Sequence, residues 1–307
     1  MSHPASPNPV GVALLDALAS IWPSPLRAQI KRIGADPWTE EYALGYTTEQ
    51  FMTKVWHGIR VGTAMPPLWG KTVLEIGCGH GGITCYLAAI GAKRVVGIDL
   101  NVDHVLYGRR LAAEIARQSG RPPLPVSFMQ MDASNLALDH ASFDAVYADN
   151  VFEHFSDPET VLRELARVLR PGGVVLIPTF SSINSKYGLH LKVGLKLPWT
   201  NLLFSERTII EALKRQAQRR PELYDAYPGL GNAPERVRDV RQFRDLNDIT
   251  HQSFRALAER QGFVVRSFQV HATLTGRLAR KLVPRIERTA LLDVLSTGAS
   301  AVLEKRP

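Results

Sequence analysis

Three glycines at alternate positions, Gly77, Gly79 and Gly81, follow the run Thr72-Val-Leu-Glu-Ile76. A short β-branched run entering such a cluster predicts a strand, a tight turn and then a helix from about His80 to Ala89. Without Cβ atoms, the turn lets a ligand lie against bare main chain. The helix start would point its unpaired N–H groups at that ligand. Glu75 stands just before the first glycine, and Asp99 ends the next apolar run, Arg94-Val-Val-Gly-Ile-Asp99. A carboxylate about 20 residues beyond a glycine turn is placed to accept ribose hydroxyls. Asp132 and Asp149 close two later apolar runs. Carboxylates therefore fall at four predicted strand ends, which points to a ligand on one rim.

Gly77-x-Gly79-x-x-Gly82 also satisfies the dinucleotide fingerprint, which is weak evidence when it stands alone. The acid before the turn helps to choose. An anion there repels a pyrophosphate but suits a cation. S-adenosylmethionine (SAM) has an ammonium and a sulfonium and no phosphate, so this segment favours SAM over NAD while leaving NAD open.

The elements that must position these residues alternate cleanly from Lys71. Strands are expected at Thr72–Ile76, Arg94–Ile98, Val126–Met131, Phe143–Ala148 and Val174–Pro178. Helices are expected at Val102–Arg117 and Pro158–Leu169. That rhythm predicts an α/β fold with a doubly wound parallel sheet, whose ligands sit at the carboxyl ends of the strands. Residues 1–66 read as an N-terminal helical cap with pieces at Val10–Ser20, Pro25–Ile33 and Thr48–Thr63, carrying aromatics from Trp22 to Trp56. Residues 67–180 and 248–307 form the core. Residues 181–247 break the rhythm as a substrate-side insertion or lid. It includes an apolar stretch, Leu189–Phe204, and a helix, Ser205–Arg219. Helix Ile249–Gln261 and strands Phe263–His271 and Ala299–Glu304 complete the chain.

Taken together, Val73-Leu-Glu-Ile-Gly-Cys-Gly-His-Gly81, Gly97-Ile-Asp-Leu100, Met131-Asp-Ala133, Phe143-Asp-Ala-Val-Tyr-Ala-Asp-Asn150 and Leu169-Arg-Pro-Gly-Gly173 resemble the class I SAM-dependent methyltransferases. The likeness is to the small-molecule type, with a ubiquinone/menaquinone methyltransferase-like core. It implies a Rossmann-like, seven-stranded, mostly parallel sheet with an antiparallel last strand. By that resemblance Gly77, Cys78, Gly79 and Gly81 would shape the turn around the methionine part of SAM, with Glu75 facing its ammonium through water or backbone. Asp99 would take both ribose hydroxyls and Leu100 would pack on the adenine. Asp132 would accept from the adenine amino group, although it could instead cap the following turn. The Ala133 N–H would meet a ring nitrogen, and Asn150 would lie near the methionine end.

Methyl transfer from a sulfonium needs alignment and exclusion of water above all. A base is needed only when the acceptor holds a proton of high pKa, as a hydroxyl does. His154, in Asn150-Val-Phe-Glu-His154, and His190, beside Tyr187, Lys192 and Trp199, are the candidate catalytic residues, with His57 more distant. The resemblance often places a histidine at His154 in enzymes with unlike substrates, which speaks for a structural or channel-lining role. The apolar stretch around His190 suits a small hydrophobic acceptor, and Lys192 or Lys196 could meet a carboxylate on it. The expected activity is methyl transfer to such an acceptor at oxygen, hydroxyl or carboxylate. The alternatives are an NAD(P)-dependent oxidoreductase and an RNA or lipid methyltransferase. The first is opposed by Glu75 and Leu169-Arg-Pro-Gly-Gly173.

The 307 residues are 45% hydrophobic and 21% charged, an ordinary composition for a folded globular chain. No apolar run approaches the roughly 18 residues of a membrane span. The first residues look like a disordered leader and not a signal peptide. Net charge is +8, with basic runs at Lys214–Arg220, Arg236–Arg241 and Arg277–Arg288. No aromatic-interleaved basic stripe accompanies them, which argues against a nucleic-acid partner. Cys78 and Cys85 are spaced about 10 Å along a helix, beyond the roughly 7 Å that a disulfide bridges. They also lack zinc-site spacing, so no metal is expected and the reduced cytoplasm is. Residues 10–63 and the apolar insertion could each form a homodimer contact.

Overall fold

The computed structural model describes residues 7–21, 68–120, 122–189, 197–219, 246–273, 275–278 and 289–307. The helices expected at 25–33 and 48–63, His57, His190, Lys192, Lys196 and the basic run 236–241 lie outside the described residues.

A seven-stranded sheet organises the rest. Its strands are β1 (Thr72–Ile76), β2 (Arg94–Asp99), β3 (Val126–Gln130), β4 (Phe143–Tyr147), β5 (Leu169–Phe180), β6 (Phe263–Ala272) and β7 (Ser296–Lys305). Their spatial order is β3-β2-β1-β4-β5-β7-β6. Pairs from β3 through β5 are parallel, whereas β7 lies antiparallel between β5 and β6. This is the Rossmann-like, mostly parallel, seven-stranded sheet expected from the sequence. Strand order reverses between β1 and β4, so the ligand crevice belongs at their carboxyl ends.

Residue alternation sorts the strands' side chains onto two faces. Leu74, Ile76, Val96, Ile98, Val146 and Ile177 pack in one cluster with Val161, Leu162 and Leu165 of helix α4 (Pro158–Val168) and with Phe254 and Leu257 of α7 (His251–Arg260). Val73, Val95, Ala145 and Tyr147 meet Ile83, Leu87 and Ala88 of helix α2 (Gly82–Ala89) on the other face. Phe152, Phe180 and Phe254 are fully buried, and burial of such a side chain stabilises by about 1.5–3 kcal/mol.

Helix ends follow their capping residues. The Asn101 side chain accepts from the Asp103 N–H at 2.8 Å at the start of α3 (Val102–Ser119), and Gly120 closes it at φ 61°. At α4 the Asp157 carboxylate accepts from the Glu159 and Thr160 N–H groups, with Pro158 opening the first turn. One boundary departs from expectation. Strand β5 begins at Leu169 and runs through Arg170-Pro-Gly-Gly173, which reads as a turn in the sequence. Leu169 pairs with Phe143, and a register shift before Ala145 absorbs the extra residues as a bulge.

The N-terminal helix α1 (Pro9–Ile21) packs against the insertion, on helix α6 (Glu206–Arg219), which follows the short α5 (Thr200–Leu203). The Asn8 N–H donates to Thr208 Oγ1 at 3.1 Å, and buried Asp16 accepts from the Gln216 amide and the Arg219 guanidinium. Among the described residues no helix is long and apolar enough to cross a membrane.

Candidate functional site

The glycine turn after β1 meets the carboxyl end of β2. Gly79 sits at φ +50°, and a Cβ added there would touch nothing within 4 Å. Its neighbours use their missing side chains differently. A Cβ at Gly81 would lie 2.6 Å from the Phe128 ring and 2.8 Å from Gly108 Cα, so this glycine lets α3 and β3 close on the turn. At Gly77 it would meet Val151, just past β4, at 2.6 Å. Two glycines therefore serve packing, and Gly79 alone faces open space that a ligand could fill.

Asp99 ties the turn to β2. Its Oδ2 accepts the Gly79 N–H at 2.8 Å, and Oδ1 accepts the Asn101 N–H at 2.9 Å, with His104 Nδ1 at 3.2 Å. Burial raises the Asp99 pKa, but these donors outweigh it and hold the carboxyl below its ordinary range. The site thus keeps an ionised acceptor where ribose hydroxyls could bind. The His104 ring lies tilted against His80, centroids 4.7 Å apart, and His80 meets the Tyr107 ring edge-on at 5.1 Å. Burial first and His104 second push the His80 pKa down to about 4.

Glu75 is not on the open rim. It shares the face of Val73, which alternation turns toward α2, and it is 4% exposed. There its carboxylate accepts from the Thr84 hydroxyl of α2. Cys78 and Cys85 are both buried and free. Burial and the neighbouring Glu75 raise both thiols, Cys85 to about 12, so neither is a thiolate at neutral pH.

Leu100 is 69% exposed beside Asp99, an unusual position for a leucine and a ready apolar surface for a ring. Exposed Asp132 accepts at Oδ1 from the N–H and hydroxyl of Ser134, both at 2.8 Å, so the capping alternative does describe one of its oxygens. Ala133 is buried. Asn150 adopts φ 56°, uncommon outside glycine, and donates its N–H to Thr179 O at 2.7 Å. Half-buried His154 closes the short helical turn Phe152–His154. Asn247 clips that turn, donating through Nδ2 to Phe152 O at 2.7 Å and Phe155 O at 2.8 Å.

Three features escaped the sequence reading. Thr84 is nine residues from Glu75 on the facing helix, and strand alternation could have found it. His104 lies one turn into the helix that follows Asp99. His251 Nδ1 lies 2.5 Å from Asp293 Oδ1 in a fully buried pair next to Phe180, and no local pattern links residues so far apart. A cavity of about 580 Å³ lined by Thr72, Lys93, Arg94 and Arg170 lies at the amino-terminal edge of the sheet. A five-residue strand, about 17 Å long, separates that edge from the glycine turn, so the cavity is not this site.

Fold and site together define a Rossmann-like domain with a glycine turn tied to a carboxylate at the carboxyl ends of its strands. Residues 74–177 match the family described as a methyltransferase domain. The chain is 38% identical over 120 residues to an O-methyltransferase cnsE of Penicillium expansum, covering 38% of this chain and 41% of that protein. It is 33% identical over 128 residues to a ubiquinone biosynthesis O-methyltransferase of Proteus mirabilis, covering 41% of this chain and 49% of the relative. The chain thus spans about half the length of these relatives or less. The fold is also that of a geranyl diphosphate methyltransferase solved in complex with SAM, at TM-score 0.51 and 14% identity, with 90% of this chain and 94% of that chain covered.

Proposed function

We propose that the protein transfers a methyl group from SAM to an oxygen of a small, apolar acceptor, a hydroxyl or a carboxylate. The observation that carries this reading is the Asp99 carboxylate bonded to the Gly79 N–H beside open space, where no side chain keeps a ligand off the main chain. The relatives above, named as O-methyltransferases, support oxygen as the acceptor atom.

In this reading Asp99 takes the ribose hydroxyls, Leu100 covers the adenine, and Asp132 and the Ala133 N–H meet its edge. Gly77, Cys78, Gly79, Gly81 and Asn150 surround the methionine part. Glu75 acts from beneath the turn, through Thr84 and the backbone. SAM supplies an electrophilic methyl whose bond to sulfur breaks as the bond to oxygen forms. The chain's residues align the acceptor and exclude water. A hydroxyl acceptor gives its proton to a base, the role we assign to His154 or His190; a carboxylate acceptor needs none. The cap (1–66) and insertion (181–247) enclose the acceptor, and a homodimer in the cytoplasm, where Cys78 and Cys85 stay reduced, completes the proposal.

Calorimetric titration with S-adenosylhomocysteine and with NAD, followed by an acceptor screen using labelled SAM, tests it. Binding of the homocysteine product together with label transfer to a phenol, hydroxylated quinone precursor or fatty acid is expected. Binding of NAD alone overturns it.

A further inference from the structure

Resting on the reading of Asp99 as the ribose acceptor, we infer that His104 is a placeholder on the Asp99 carboxylate that a ribose hydroxyl must displace. An ionised carboxylate offers about four lone-pair positions. Three are filled: Gly79 N–H on Oδ2 at 2.8 Å, and Asn101 N–H and His104 Nδ1 on Oδ1 at 2.9 and 3.2 Å. One position is left, whereas a ribose that donates both hydroxyls needs two. One protein donor must therefore leave.

The two backbone donors are fixed. Gly79 lies in a turn closed by the Gly81 N–H to Cys78 O bond and tied to β2 through the Cys78 N–H to Ile98 O bond, each 2.9 Å. Asn101 is the cap residue of α3, held by its side chain to the Asp103 N–H. His104 makes the longest of the three contacts and sits at the end of a rotatable side chain that is 34% exposed. Its ring already packs on His80, a surface along which it can turn away without entering the core.

The placeholder sets how strongly the site reads the ribose. A ligand that lacks one hydroxyl leaves the His104 bond to Asp99 intact, so the loss is offset. Without His104, the same ligand leaves a carboxylate position unfilled, and the penalty appears in full.

Titration of the wild type and of His104→Phe with S-adenosylhomocysteine and its 2′-deoxy and 3′-deoxy analogues reads this difference. The expected result is a rise of about ten-fold in discrimination against one deoxy analogue in His104→Phe, the scale of a hydrogen bond to a charged group. S-adenosylhomocysteine itself should bind the variant at least as tightly as the wild type. An equal change for all three ligands, or an unchanged ratio, overturns the placeholder and leaves His104 as packing. Melting of the ligand-free variant reports on its fold, and His104→Leu replaces it should phenylalanine not fold. Asp99→Ala separates the two readings. If it abolishes binding while the His104→Phe ratio stays flat, the cofactor site stands and the placeholder falls. If Asp99→Ala binds normally, both fall.

Discussion

The glycine turn and the junction of α1 with residues 197–219 are built by opposite strategies. Around Asp99 and Glu75, the polar contacts join residues close in sequence. Gly79 reaches Asp99 across 20 residues, Asn101 and His104 follow at once, and Thr84 is one helix turn into α2. Where α1, residues 181–219 and the C-terminal strands meet, the contacts span far greater distances. Asp16 meets Gln216 across 200 residues, Trp199 Nε1 donates to Val294 O across 95, and the Lys186 N–H donates to Ser296 O. A local constellation leaves a signature in spacing, whereas a long-range one leaves none. The same contrast predicts that changes at Asp99 and Gly79 weaken cofactor binding, and that changes between α1 and α6 leave cofactor affinity alone.

The largest stability effect separates two neighbouring glycines. Gly81→Ala drives a methyl into Phe128 and the Gly108 backbone at a left-handed φ, so it should destabilise by about 3 kcal/mol in chemical denaturation. Gly79→Ala meets only open space and should lose about 1 kcal/mol of stability, yet weaken S-adenosylhomocysteine at least ten-fold in calorimetry. Equal stability losses would break the division between a packing glycine and a ligand-facing one.

Thr84→Val comes next. It removes the hydroxyl that serves the buried Glu75 carboxylate, and an under-satisfied buried charge should lower stability by about 2–3 kcal/mol in urea unfolding. A loss under 0.5 kcal/mol would mean that Glu75 is satisfied without Thr84.

The pH response of His80 is smaller. Its folded pKa is about 4, against about 6.5 in an unfolded chain. Between these values the unfolded state binds more protons, so stability is full above about pH 6.5 and falls as pH drops toward 4. After allowance for the half-buried ring, the loss should be on the order of 1–2 kcal/mol, read from denaturation midpoints in that window. His80→Phe should flatten the slope; an unchanged slope would place the titration elsewhere.

The smallest effect should come from the contact between α1 and α6. Gln216→Met removes one partner of Asp16 but leaves Arg219. Stability should fall by about 1 kcal/mol, with S-adenosylhomocysteine affinity within two-fold of wild type. A larger affinity change would couple the halves more tightly than the contacts imply.

The same contrast explains what was legible in the sequence. Strands β1 to β4 stand within a residue or so of their expected bounds because β-branched runs end at glycine, asparagine or aspartate. Asp99 was legible because it ends an apolar run about 20 residues beyond the glycine turn. The start of β5 was not, since Pro171-Gly-Gly173 carries every local mark of a turn and only pairing with β4 keeps it in the sheet. Glu75 was assigned to the rim by its place near a strand end; period-two alternation turns it inward instead. The His251–Asp293 pair arises only when α7 meets the short helix Ala290–Val294 that precedes β7. His104 was within reach, one helix turn after an identified carboxylate.

The central claim is that Asp99 and the open face of Gly79 form the cofactor site. It is tested most directly by calorimetric titration of wild type and Asp99→Ala with S-adenosylhomocysteine, with thermal melts of both proteins. The account predicts that Asp99→Ala melts within a few degrees of wild type and loses at least a hundred-fold in affinity, as two hydrogen bonds to a charged acceptor disappear. A folded Asp99→Ala protein that binds the ligand as tightly as wild type would contradict it.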